Sequence, residues 1–231
     1  MARAIVNQLQ AAPPAAPSAA GELSLREILR FYVPLALTSL LAITVNPLVT
    51  FFMGRSRMPV ESLAVLPVVS GFVFMFRSGA LAYQEVGVAL VGAGREHEGP
   101  IRRVALALAL ASVTALAAVL FTPLAGVWFS RVAGLSPELA RFSLWPARLL
   151  ALVPALDYLL SLQRAVLVLA RRTRLITMAT VAEALTIVVV LAGAVNGLHW
   201  VGALAASAAM LAGRVAGNVF LLRPAMGRPA R

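Results

Sequence analysis

Six apolar runs, each near or above the ~20 residues that a helix needs to cross the hydrocarbon core of a bilayer, divide this chain. They extend over about Phe31 to Met53, Leu63 to Val91, Val104 to Phe129, Leu144 to Leu162, Leu175 to Val195 and Trp200 to Leu222. A membrane-spanning backbone must satisfy its own hydrogen bonds, which leaves helices or a closed barrel. A barrel would show ~10-residue segments of alternating polarity, and none are present. The expected fold is therefore all-α: a polytopic membrane protein built as a bundle of six transmembrane helices. Hydrophobic residues make up 61% of the 231 and charged ones only 13%, too few to coat a soluble domain of this size.

All twenty cationic residues are arginine, since the chain contains no lysine. Thirteen of them fall in alternate gaps: Arg3, Arg26 and Arg30; Arg95, Arg102 and Arg103; Arg164, Arg171, Arg172 and Arg174; Arg223, Arg228 and Arg231. Positive residues in short loops are retained on the cytoplasmic side during insertion. The pattern predicts a multi-pass protein of the cell (inner) membrane with both termini cytoplasmic. The formal charge of +11 is accounted for by this distribution, so no nucleic-acid partner is expected; membrane lipid is.

Residues 1–22, rich in Ala, Pro, Gln and Ser, are expected to be a disordered cytoplasmic tail. Ala4-Ile5-Val6 is too short for a signal-peptide core. The transmembrane domain covers 23–222, opening on the capping box Ser24-Leu25-Arg26-Glu27. Residues 223–231 form a basic cytoplasmic tail, or equally a linker.

Enzyme signatures fail. Gly92-Ala93-Gly94 lacks the third glycine of a dinucleotide loop and follows a helix. Glu96-His97-Glu98 is a solvated loop, and His199 beside Trp200 is an interfacial pair. With no cysteine and two remote histidines, neither an N/S-ligated metal nor a nucleophilic triad can be assembled. No catalytic residue, metal or cofactor is expected.

The charges inside the spans carry more. An ionisable side chain near a helix centre costs about 2.5–3.5 kcal/mol on insertion scales, and such residues face a bundle interior or an aqueous path. Arg77, Glu183 and Arg214 are deepest; Asp157 and Glu85 are nearer the cytoplasmic ends. Arg148 and Arg164 are placed at helix ends, within snorkelling reach. Asp157 and Arg164 are seven apart and share a face, as do Arg77 and Gln84. Two readings stay open: the charges pair to lock the bundle, or they line a functional cavity. In the last span Ala205, Ala209, Gly213 and Gly217 recur every four residues, a register that lets helices approach closely in lipid, whether within the chain or between copies.

Three segments resemble the multidrug and toxic compound extrusion (MATE)-like transporter superfamily and, within it, the progressive ankylosis-like branch. They are Arg30-Phe31-Tyr32-Val33-Pro34-Leu35-Ala36-Leu37-Thr38; Tyr83-Gln84-Glu85-Val86-Gly87 through Ile101-Arg102-Arg103-Val104; and Val153-Pro154-Ala155-Leu156-Asp157 through Arg171-Arg172-Thr173-Arg174. The resemblance covers about Arg26 to Leu222. It implies an alternating-access exporter of a small organic or phosphate-type anion, with Arg77, Arg214 and Gln84 binding substrate and Glu183, Asp157 and Glu85 coupling to H+ or Na+. Members have two six-helix halves and this chain supplies one, which implies a homodimer, or a split gene product with a second half. Cation or drug efflux through Glu183 and Asp157 is the first alternative. A non-transporting membrane subunit is the second.

Overall fold

The computed structural model describes residues 40, 43–91 and 98–226. Every element among them is helical, and five helices are long and apolar enough to cross a membrane. About half of the first expected span, residues 31–39 and 41–42, lies outside these residues. Its described end is α1, Ile43–Gly54. The N-terminal tail, the Ser24–Glu27 capping box, the Arg30–Thr38 segment and residues 227–231 also lie outside, whereas residues 223–226, expected as the start of the C-terminal tail, continue the last helix. The remaining helices are α2 (Pro59–Leu90), α3 (Glu98–Leu120), short α4 (Leu124–Val127), α5 (Pro137–Leu149), α6 (Val153–Leu169), α7 (Thr173–Ala192) and α8 (Gly202–Met226).

Two spans differ most from expectation, and one of them matters for function. The third span stops at Leu120 rather than Phe129. Pro123 has no N–H and cannot continue an i→i−4 ladder, so the chain restarts as α4 and a π-helical turn, Trp128–Val132. Thr122 serves the break, its Oγ1 donating to the Ala118 carbonyl at 2.7 Å. The fourth span is far longer than Leu144–Leu162. It begins at Pro137 behind the Ser136 N-cap, tightens into a 3-10 turn at Leu150–Leu152 before Pro154, and continues to Leu169. Polar Gln163 and Arg164 interrupt the apolar run without ending the helix.

α6 is the hub, packing on α2, α3 and α8. Eleven of its seventeen residues are buried, against four of twenty in α7. The outward faces of α3 and α7 carry Leu106, Leu110, Leu185 and Val189, all exposed. A patch of that size would drive association in water; against acyl chains it meets its like. At one end of the bundle Phe129 is fully buried against Phe72, with ring centroids 5.6 Å apart. The α1–α2 turn shares its end with the α7–α8 turn, where the Gly202 amide donates to the Arg57 carbonyl at 3.2 Å. Single cysteines in this cysteine-free chain test the alternation directly. Ser56→Cys and His199→Cys should label from one face of the membrane with an impermeant maleimide, and Arg172→Cys from the other. Labelling of all three from one face would overturn the topology.

The small-residue face of α8 is spent inside the chain. Gly213 and Gly217 lie on α7: a Cβ at Gly213 would come within 3.0 Å of the Glu183 carbonyl oxygen and closer still to Ile187, and one at Gly217 would meet the Glu183 carboxylate at 3.4 Å. Close approach there is what brings Glu183 alongside Arg214.

Candidate functional site

Five charged side chains from four helices meet inside the bundle: Arg77 of α2, Asp157 and Arg164 of α6, Glu183 of α7 and Arg214 of α8. They line one cavity of about 370 Å³ together with Asn46, Ser161 and Thr180. Pro137–Leu169 is long enough that Asp157 and Arg164, two turns apart, both fall within it and on its cavity face.

Four of the five form a chain of alternating charge. Asp157 sits between two guanidiniums, its Oδ2 2.5 Å from Arg77 Nε and its Oδ1 3.0 Å from Arg214 Nε. The Arg77 contact is an ion pair off the hydrogen-bond axis. Arg214 then reaches Glu183 with Nη1, 3.3 Å from Oε1 and 3.5 Å from Oε2. Asp157 is held by two short contacts and its side chain is only 7% exposed; Glu183 is held by one arginine, at longer range. Behind Arg214, Asn218 donates its Nδ2 to the Arg214 and Leu156 carbonyls at 2.8 and 3.2 Å, and Gln163 Nε2 donates to the Asn218 carbonyl at 3.3 Å. This ties α8 to α6 and fixes where Arg214 enters the cavity.

Arg164 has no carboxylate within ion-pair range among the described residues, and its Nε is buried without a hydrogen-bond partner. Three guanidiniums against two carboxylates leave the cluster, with all five ionised, one positive charge in excess. Arg164 is half-buried and feels Glu183 and Asp157 across the cavity without closing an ion pair with either, so an anion entering the cavity would offset the excess charge.

The sequence placed Arg77, Asp157, Glu183 and Arg214 as interior charges, and the structure brings all four together. Gln84 is half-buried and Glu85 exposed on α2, and neither is among the residues lining the cavity. Arg164 was assigned to a helix end and is instead interior. The signal for it was its seven-residue spacing from Asp157, overridden by ending the span at Leu162. Arg148, also placed at a helix end, does a different job. Its Nε donates to the Leu120 carbonyl at 3.3 Å, and its guanidinium lies over Phe121 and Trp145. It thereby closes the C-terminus of α3, where a cation complements the helix dipole. Among the described residues no three His, Asp or Glu side chains are grouped to hold a metal ion.

No protein-family model, curated protein or solved structure matches this chain. What can be said of its function rests on the geometry of these side chains.

Proposed function

We propose that this chain is a membrane transporter of a small organic or phosphate-type anion, working by alternating access. The observation that carries the reading is the guanidinium of Arg164, which makes no ion pair among the described residues, beside a paired quartet. A membrane-embedded cluster that only locked helices together would balance its charges, because each unpaired one costs several kcal/mol. Arg164 gives the anion its first contact, with Arg77 and Arg214 adding positive charge from the walls of the same cavity. Glu183, sharing one arginine at longer range, is the carboxylate best placed to exchange that arginine for a proton or Na+ during the cycle. Asp157, gripped from two sides, is the worst placed. Within the MATE-like resemblance, a single six-helix half completes its transport path against a second copy or a second half. The arginine distribution supports a cell-membrane location with both ends cytoplasmic.

Uptake into proteoliposomes tests the proposal. Labelled phosphate and labelled small carboxylates should enter faster than into protein-free vesicles, and a cationic dye should not. Dye movement abolished by Glu183→Gln would favour cation efflux instead. No flux of either kind from folded protein would favour the second reading, a non-transporting subunit whose charges are structural. The observation on that side is the double clamp on Asp157, which joins α2, α6 and α8.

A further inference from the structure

We propose that the anion is amphiphilic, a single-charged head carrying an apolar chain, and that it lies along α1 with its head at Arg164; this rests on the anion-transport reading above. The charged cavity does not stand alone. A second cavity of about 420 Å³ adjoins it, and the two share Val45, Asn46, Ile187 and Met210 as walls. Beyond those shared residues the second is bounded by α1 and α2, chiefly by Val49, Met53, Leu63, Leu66 and Pro67, with Thr50 and Ser70 its polar additions. None of its lining residues is charged. All five charged residues of the site lie in the first lobe.

The division of chemistry between the two adjoining cavities is what defines the ligand. A multiply charged, wholly hydrophilic anion would find one excess positive charge and would leave the apolar lobe unfilled. A monoanion with an alkyl or aryl chain matches both: its head meets the unpaired guanidinium, and its chain covers Val49, Met53 and Leu66. Burying each methylene from water is worth roughly a three- to fourfold gain in affinity, so the apolar lobe supplies selectivity that the head group alone cannot. The rival occupant of that lobe is an acyl chain of the surrounding bilayer, which would make it indifferent to the substrate.

Displacement in nanodiscs separates these outcomes. Labelled octanoate is bound to the full chain and displaced by straight-chain carboxylates from acetate to decanoate, with potency referred to free aqueous concentration. A second set of discs is titrated with labelled phosphate. The expected result is a gain of about three- to fourfold per methylene up to a plateau, abolished throughout by Arg164→Gln. Val49→Trp and Thr50→Trp fill the lobe from neighbouring positions on α1. Either should bring the plateau to a shorter chain while leaving the weak potency of acetate unchanged. Potency that is flat with chain length, alongside Arg164-dependent phosphate binding, would overturn the amphiphile and leave the anion reading standing. A length dependence that survives Arg164→Gln is partition into lipid and overturns the proposal. So does an unshifted plateau in whichever tryptophan variant folds. Binding of neither anion would remove both readings.

Discussion

Asp157→Ala should destabilise the folded protein by about 3–5 kcal/mol, the cost of removing one partner from a buried ion pair and stranding the other. Here Arg77 loses the one carboxylate it pairs with among the described residues, and Arg214 keeps only Glu183. Arg77 and Arg214 approach opposite oxygens of the same carboxylate, and their side chains are only 23% and 17% exposed. Loss of the carboxylate therefore leaves three arginines facing one glutamate in a single cavity. The measurement is reversible unfolding in detergent, with the apparent midpoint followed for a series of variants. Asp157→Asn preserves volume but not charge and should lose most of the same stability. Adding Arg77→Met to Asp157→Ala should recover part of the loss, because the stranded charge goes with it. Glu183→Gln should cost clearly less than Asp157→Asn, since Arg214 keeps its pair with Asp157 at 3.0 Å and no arginine of the quartet is left without a carboxylate. A loss below about 1 kcal/mol for Asp157→Ala, the range of exposed pairs, would show that water already screens the cluster.

Much of this architecture is written in the apolar periodicity and arginine spacing, because a bilayer imposes one length and one polarity on every span. Where the reading slipped, a single polar residue or proline was given the wrong weight. Gln163 and Arg164 look like the polar end of a span, yet Ala165-Val166-Leu167-Val168-Leu169 continues the helix, and three of those five residues are buried. A window that scores hydropathy cannot distinguish a charge facing water at a helix end from one facing water inside a bundle. Pro123 falls inside the apolar run Val104 to Phe129, yet α3 ends before it, and Thr122 and Arg148 donate to the carbonyls of Ala118 and Leu120 at the break. The pairing itself was not legible. Nothing in the spacing of Arg77, Asp157, Glu183 and Arg214 says that Asp157 takes the central place. That order is set by α6 occupying the middle of the bundle and by glycines 213 and 217 drawing α7 against α8. The same glycines left open whether the partner was internal, a question that only packing answers.

Arg164→Gln separates function from fold, because among the described residues its guanidinium closes no ion pair with a carboxylate. Anion uptake should fall roughly tenfold to a hundredfold, the loss expected when a hydrogen bond to a charged group, worth about 1.5–3 kcal/mol, is removed from a binding step. The fall should appear as a raised apparent KM, with the maximal rate less affected, since the residue acts on the bound anion rather than on the helices that move. Stability should stay within about 0.5 kcal/mol of the parent or increase, as removing an uncompensated buried charge relieves its desolvation. Arg164→Lys keeps the charge but loses the planar fork that grips an oxyanion in two places, so it should restore part of the affinity. This is the reverse of the Asp157 result, where stability goes first. Arg148→Gln is the contrasting arginine: its guanidinium serves the Leu120 carbonyl and two aromatic rings outside the cavity, so it should leave the KM unchanged. Uptake by Arg164→Gln at the parental KM, together with a stability loss like that of Asp157→Ala, would mean that Arg164 has a structural partner and that the excess charge is not available to a ligand.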